Sequence, residues 1–328
     1  MKCIALLSGG LDSTLAVKVI LEQGIEVVSL NIKTPFCRCN RLKGCSFIAK
    51  KVVDEFGTGF KFFYMGEEYL RMLENPPHGY GKNVNPCIDC RILMFRKAKE
   101  VMEEEGASFI VSGEVLGQRP MSQHKAALGM IEKEAGVEGL VLRPLSAKLF
   151  PPSIPENEGW VDREKLLDFS GRSRKPQIEL AGHLGVKDYP CPAGGCLLTD
   201  ISFAGKLKDL IARGGLTLRG VELLKAGRHF RWNGSFKLIV GRNEKENEFL
   251  RAKAGGGDMI LEPHELMGPL ALGIGAPEDG DLLRSCRIVA RYADGDGKGE
   301  VDIRISGGGQ RVVPAERMSG DEVESLRI

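Results

Sequence analysis

The sequence predicts an α/β fold over its first 200 residues, a parallel sheet with helices on both faces, followed by a smaller α+β domain. Three observations predict it. Apolar runs alternate with helical patterns from Cys3 to Leu142. The first run passes into a helix through Ser8-Gly9-Gly10-Leu11-Asp12-Ser13, a turn suited to a strand–helix junction. Beyond Asp200–Ser202 the pattern changes to a basic helical stretch and then to short strands. A length of 328 residues fits two domains, 1–200 and 201–328, each able to bury a core.

Cys3–Leu7 reads as a buried strand, and Ser13–Glu22 as a helix with Leu15, Ala16, Val19 and Ile20 on one stripe, ended by Gly24. Glu26–Ile32 is the second strand, Ser46–Phe56 the second helix and Phe60–Tyr64 the third strand. Asp89–Glu105 carries Ile92, Phe95, Val101 and Met102 at helical spacing. Ser108–Ser112 and Gly139–Leu142 follow as strands. Leu149–Gly159 is a loop, and Arg163–Phe169 and Pro176–Leu184 are short helices. Between these lies a basic turn, Gly171–Lys175, suited to phosphates or simply to solvent. In the second domain Phe236–Val240, Asp258–Leu261, Ala271–Ile274 and Arg287–Tyr292 read as strands.

Composition narrows the class. No apolar run approaches a membrane span, and the N-terminal strand breaks at Ser8, unlike a signal peptide, so a cytoplasmic location is expected. Nine cysteines in such a compartment point away from stabilising disulfides and toward metal, iron–sulfur or redox chemistry. The net charge of +2 is unevenly spread. Residues 203–253 hold 12 Lys/Arg against 5 Asp/Glu, whereas residues 258–302 hold 4 against 10, so the basic stretch is the candidate nucleic-acid face.

Parallel α/β sheets bind ligands at the carboxyl ends of their strands. Ser8–Ser13, Asn31 and Ser112-Gly113-Glu114 meet that edge. Two glycines expose consecutive amides, the following helix adds its positive end, and Ser8 and Ser13 add hydroxyls, which together make an anion cradle. Asp12 would repel a bare phosphate but suits Mg²⁺ on a nucleotide. The ATP-binding candidates are Ser8, Gly9, Gly10, Asp12, Ser13, Asn31 and Gly113, with Asp12 also catalytic. No Gly-Lys-Ser/Thr is present at this loop, so it is not a Walker P-loop.

Asn85-Pro86-Cys87-Ile88-Asp89-Cys90 opens the long helix, with Asn85 expected to cap it and Pro86 at its first position. Cys87 and Cys90 then face the same way, and a helix N-terminus is expected to lower their pKa. A later Gly-rich loop carries Cys191 and Cys196. Cys37, Cys39 and Cys45 form a third group, with metal or sulfur roles and no role equally open. Cys3 and Cys286 sit in apolar segments read as strands and are expected in the core. The five histidines show no ligand spacing.

The Ser8–Ser13 string resembles the signature of the PP-loop ATP pyrophosphatases, of the adenine nucleotide alpha hydrolase-like fold. The resemblance implies cleavage of ATP between its α and β phosphates. Asn85–Cys90 with the later Cys196 resembles the tRNA thiolation enzymes of that superfamily, the 2-thiouridylases and 4-thiouridine synthetases. It implies an ATP-dependent tRNA sulfurtransferase, with Cys90 and Cys196 as the catalytic pair. Cys87 stands where the 2-thiouridylases have Asp. Cys-x-x-Cys plus a distant Cys resembles instead the iron–sulfur thiolases, which implies a [4Fe–4S] cluster on Cys87, Cys90 and Cys196. Both mechanisms stay open, as do structural zinc and inert buried thiols. Ile239–Glu248, with Asp258 and His264 downstream, resembles the RNA-binding domain of the NFACT proteins, although the aromatic usual before that His is absent. It implies tRNA as partner, with Arg228, Arg231 and Arg242 as candidate phosphate contacts. ATP and Mg²⁺ are the implied cofactors, a donor protein or sulfide is the sulfur source, and the choice between monomer and homodimer is open. A PP-loop amide ligase or amidotransferase and a non-catalytic RNA-binding sulfur carrier are the competing readings.

Overall fold

The computed structural model describes the chain except residues 38–44, 188, 190–195, 233, 279, 296 and 298, and except the side chains of residues 45 and 46. Cys39 and Cys191, and the side chain of Cys45, therefore lie outside the described residues. Two compact units divide between Thr199 and Asp200.

The first unit runs β1 (Lys2–Leu6), α1 (Leu11–Leu21), β2 (Glu26–Lys33), α2 (Cys45–Phe56), β3 (Gly59–Tyr64), α3 (Glu67–Glu74), α4 (Cys87–Glu104), β4 (Phe109–Ser112), α5 (Lys125–Ala135), β5 (Val141–Leu142), α6 (Ile154–Asn157) and α7 (Lys175–His183). The strand order is β3-β2-β1-β4-β5, with every neighbouring pair parallel. Alternation along β1 explains the two layers. Cys3 and Ala5 pack with Leu15, Val19, Val52 and Ala181 of α1, α2 and α7. Ile4 packs on the other face with Ile92, Phe95 and Ile131 of α4 and α5. Each such fully buried large side chain contributes roughly 1.5–3 kcal/mol. With β1 between β2 and β4, the loops after these three strands open at one edge, where the chain reverses direction across the sheet.

The second unit contains α8 (Ile201–Ala212), α9 (Leu218–Leu223), β6 (Arg228–Phe230), β7 (Phe236–Val240), α10 (Glu244–Lys253), β8 (Met259–Pro263), β9 (Ala271–Gly275), α11 (Asp281–Arg291), β10 (Glu300–Ser306), β11 (Gln310–Glu316) and α12 (Gly320–Ser325). Its strands form one antiparallel sheet of order β11-β10-β8-β9-β7-β6. One face packs on α11 through Leu238, Val240, Leu261, Cys286 and Val289, and the other packs Ile239 and Leu272 against Leu223 and Leu250.

Four expectations are corrected. Leu149–Gly159 is not all loop, because the short helix α6 takes Ile154–Asn157, with Glu156 accepting from the Ser153 amide at 2.8 Å. Arg287–Tyr292 is not a strand. It belongs to α11, whose Cys286, Val289 and Ala290 are buried while Arg284 and Arg291 face out, so Cys286 is a core thiol on a helix. A short apolar run cannot be assigned to helix or strand by its own periodicity. Arg163–Phe169 is helical only as a 3-10 turn over Arg163–Lys165, after which Leu167 and Phe169 donate their amides to Pro144 and Leu145 carbonyls. At the start of α4 the cap position belongs to Pro86, and the Asn85 side chain donates instead to Cys87 Sγ at 3.0 Å. Among the described residues no helix is long and apolar enough to cross a membrane.

Candidate active site

The β1–α1 turn is a small hydroxyl-braced loop. Gly9 takes a φ of +77°, the left-handed region that favours glycine. Ser13 Oγ donates to the Gly10 carbonyl at 2.9 Å and lies 3.1 Å from Ser8 Oγ, and the amides of Ser8 and Gly10 point to Ser13 Oγ and Ser8 Oγ. Gly113, just past β4, lies directly against the first turn of α1. A Cβ there would come within 2.6 Å of Ser13 backbone atoms, so only glycine lets these two segments meet.

Asn31 is 2 % exposed, and its Nδ2 donates to the Leu7 carbonyl at 2.7 Å. It holds the loop from behind, while its Oδ1 is buried without a hydrogen-bond partner.

That cavity, about 370 Å³, lies at the carboxyl edge of the sheet. Ser8, Gly10, Asp12, Ser13 and Gly113 form one part of its wall, and Cys37, Cys87, Cys90 and Cys196 form another. Gln118 Nε2 donates to Asp12 Oδ2 at 2.7 Å, and Arg174 Nη2 lies 3.4 Å from the same oxygen. Asp12 Oδ1 is buried without a hydrogen-bond partner, the condition of a carboxylate oxygen open to a cation. Arg174 comes from the basic Gly171–Lys175 turn, so one residue of that turn faces the cavity.

The thiols come from three segments. Thr34 N–H donates to Cys37 Sγ at 3.4 Å in the turn that follows β2. Cys87 and Cys90 lie one helical turn apart at the start of α4. Tyr69, buried under the site, gives Cys90 a hydrogen bond from its hydroxyl. Cys196 Sγ–H reaches the Phe36 carbonyl at 3.8 Å, next to Cys37. Burial pushes the Cys87 and Cys90 thiols up, against the opposing pull of Arg119 and Arg91 on Cys87 and of Tyr69 and Arg91 on Cys90. Burial carries Cys196 to about 12. The expected lowering at the helix N-terminus is therefore overridden, because desolvation of a thiolate outweighs the helix end. Among the described residues no three His, Cys, Asp or Glu side chains close tightly enough to hold a single metal ion.

Several lining residues escaped the sequence reading. The loop after β4 sends Gln118, Arg119, Ser122 and Gln123 into the cavity, and α4 adds Arg91. For the loop residues the signal was positional, two polar pairs, Gln118-Arg119 and Ser122-Gln123, in the segment that follows the fourth strand. Below them Glu114, 1 % exposed, accepts from Arg143 Nε at 3.1 Å and lies 3.4 Å from Arg91 Nε, which fixes Arg91 at the floor. His78 bridges Asp89 and Glu134 at 2.8 and 2.9 Å and anchors the start of α4. Its hydrogen bond to Asp89 raises its pKa.

In the second unit, the Ile239–Glu248 string forms the β7–α10 junction. Asn243 caps α10 by accepting from the Glu246 amide at 3.1 Å, and Asn247 Oδ1 accepts from the Leu270 amide at 3.0 Å. Arg228 stacks over the Tyr292 ring at 4.4 Å and reaches the Gly241 carbonyl. Arg242 is half exposed and paired with Glu246. Arg231 is different. Its side chain is 12 % exposed and pairs with Asp209 at 2.7 Å, so its expected role as a phosphate contact is corrected to that of an internal brace.

Residues 1–148 match the family described as thiamine biosynthesis protein (ThiI), and residues 227–327 match the NFACT protein RNA binding domain. The resemblances carried by Ser8–Ser13 and by Ile239–Glu248 fall within these segments. The probable tRNA sulfurtransferase of Methanothermobacter thermautotrophicus is 36% identical over 118 residues, 36% of this chain and 30% of that protein. The tRNA sulfurtransferase of Desulfurococcus amylolyticus is 26% identical over 228 residues, 67% of this chain and 41% of that protein. Among solved structures, a 4-thiouridine synthetase–RNA complex with bound ATP aligns with a TM-score of 0.40 and 23% identity, over 68% of this chain and 52% of that one. The chain spans less than half the length of these two curated relatives.

Proposed function

We propose that this chain is an ATP-dependent tRNA sulfurtransferase that adenylates a base carbonyl, that of a uridine, and replaces its oxygen with sulfur. One observation carries the reading: the anion loop with Asp12 and four cysteine thiols face one cavity. Activation of oxygen and delivery of sulfur then need no movement of the intermediate between sites.

The chemistry follows from the groups present. The carbonyl oxygen attacks the α-phosphorus of ATP, and pyrophosphate leaves into the cradle of Ser8, Gly9, Gly10 and Ser13. Asp12 would hold Mg²⁺, which would supply charge neutralisation, while Arg174 and Arg119 balance charge on the transferring phosphate. A sulfur nucleophile then adds to the activated carbon, and AMP leaves with the former carbonyl oxygen. Cys87, Cys90 and Cys196 are the residues that handle sulfur in this reading.

These buried sulfurs suit a [4Fe–4S] cluster better than nucleophilic catalysis by unassisted thiols. Asn85 and Tyr69 give Cys87 and Cys90 neutral donors that support bound thiolates. Bound there, a cluster would supply an iron that accepts sulfide from a donor protein or from solution. The tRNA docks through the second unit, with Arg228 and Arg242 as phosphate contacts that carry affinity and no base readout.

The test combines purified chain, tRNA, Mg²⁺·ATP and sulfide under anaerobic conditions. AMP, pyrophosphate and thionucleoside are expected in equal amounts, and AMP release is expected to require tRNA. Formation of ADP, or of AMP with no thionucleoside under any sulfur source, contradicts the assignment.

A further inference from the structure

We propose that Lys206, on α8, is the centre of a phosphate site on the second unit, completed by Arg242 and Arg327, that takes a backbone phosphate of the tRNA. The proposal rests on the reading above that tRNA docks through this unit. It adds a contact from α8, which lies outside residues 227–327, the segment that matches the RNA binding domain.

Placement is the first support. α8 buries Phe203, Ala204 and Leu207. Its Asp209 meets Arg231 Nε at 2.7 Å and Lys237 Nζ at 3.1 Å, which docks the helix on the β6–β7 hairpin. Lys206 stands one turn before Asp209, on the same side of α8. His229 faces Ile239 in the hairpin register and is fully buried. Burial pushes the His229 pKa down, and the fields of Lys237, Lys206 and Arg242 push it further, so these three cations stand around one residue of the hairpin. Arg327 is bridged to Phe230 on the free edge of β6, where the Ile328 amide donates to the His229 carbonyl at 3.0 Å.

The second support is the balance of charge. Asp209 engages both carboxylate oxygens with Arg231 and Lys237. Glu246 engages its own with Arg242 and the Gly227 amide. Lys206 is half-buried, and among the described residues no hydrogen bond or ion pair holds its ammonium. Lys206, Arg231, Lys237 and Arg242 thus face two carboxylates. Burial and the fields of Arg242, Lys237 and Arg327 pull the Lys206 pKa down, as befits a cation short of a counter-charge. A phosphodiester supplies what is missing, one negative charge and acceptor oxygens for donors on several sides. Arg242 and Arg327 are partly exposed, so the site is open to a ligand as large as RNA.

The experiment uses the full chain and unmodified tRNA, with affinity measured by fluorescence anisotropy over a range of salt concentrations. Lys206→Met keeps an unbranched side chain and removes the charge. It is expected to bind tRNA several-fold more weakly and to flatten the salt slope by about one unit, the loss of one phosphate contact. Lys206→Arg is expected to keep the parent slope. Lys208→Met, which removes an exposed charge from the same helix, is expected to change affinity less. Without RNA, Lys206→Met is expected to unfold at a higher temperature than the parent, because an unpaired, partly desolvated cation is gone. Parent affinity and slope in Lys206→Met, or an equal loss in Lys208→Met, overturns the proposal and leaves tRNA docking on the second unit standing. An unfolding temperature below the parent's in Lys206→Met, with affinity lost in Lys206→Arg as well, marks Lys206 as structural and overturns it too. Inorganic phosphate is the second probe. If it raises the unfolding temperature of the parent but not of Lys206→Met, while tRNA affinity is the same in both, the site belongs to a free anion and the tRNA contact is overturned. Absence of salt-dependent tRNA binding by the parent overturns the docking reading, and the proposal with it.

Discussion

Asp12→Ala is expected to lower tRNA-dependent release of AMP and pyrophosphate roughly 10²- to 10³-fold, the usual loss when a key charge-stabilising group leaves an active site. The carboxylate has one oxygen engaged by Gln118 and Arg174 and the other without a partner. Its removal takes away the only acidic side chain in the first turn of α1. The stability cost should stay at about 1 kcal/mol or less, the worth of an acidic group at a helix start. Asp12→Asn keeps an acceptor for Gln118 but not the negative charge, and should be nearly as impaired. Pyrophosphate release and a thermal unfolding midpoint, measured together on both variants, check this. Turnover at the parent rate in Asp12→Ala would remove the loop from the chemistry.

Cys90→Ala should separate the two halves of the reaction. Thionucleoside formation is expected to fall by roughly three orders of magnitude or more, as when one member of a catalytic unit is removed. The anion loop and Arg174 are untouched, so tRNA-dependent AMP release should persist, with the adenylated base returned to its starting form by water. Liquid chromatography of nucleosides beside an AMP assay reads both. Equal loss of AMP and thionucleoside would show that Cys90 serves activation as well. Full retention of thiolation would place the sulfur chemistry elsewhere.

What the sequence disclosed followed from local rules. The β1–α1 turn is legible because two glycines and a following helix have one well-defined use, and Cys87 and Cys90 because helical spacing puts i and i+3 on one side. Their environment was not legible. Tyr69, Thr34 and Asn85 reach the sulfurs by way of the fold, and the burial that overrides the helix end is a tertiary property. Arg231 shows the same limit: a basic residue in a basic stretch reads as surface until Asp209 is seen to hold it. Asn31 shows it for a polar residue, whose side chain faces the back of the loop at Leu7. In α11, Ile288 and Val289 read as strand because the helical stripe they share with Cys286 extends outside the short window.

The measurement that bears most directly on the account follows one oxygen atom. tRNA carrying ¹⁸O at its uridine carbonyls is incubated with the chain, Mg²⁺·ATP and sulfide, and the products are weighed by mass spectrometry. Adenylation of the base carbonyl predicts heavy oxygen in the phosphate of AMP, unlabelled pyrophosphate, and a thionucleoside that has lost the label at the substituted position. Unlabelled AMP alongside tRNA that keeps all of its heavy oxygen would contradict it.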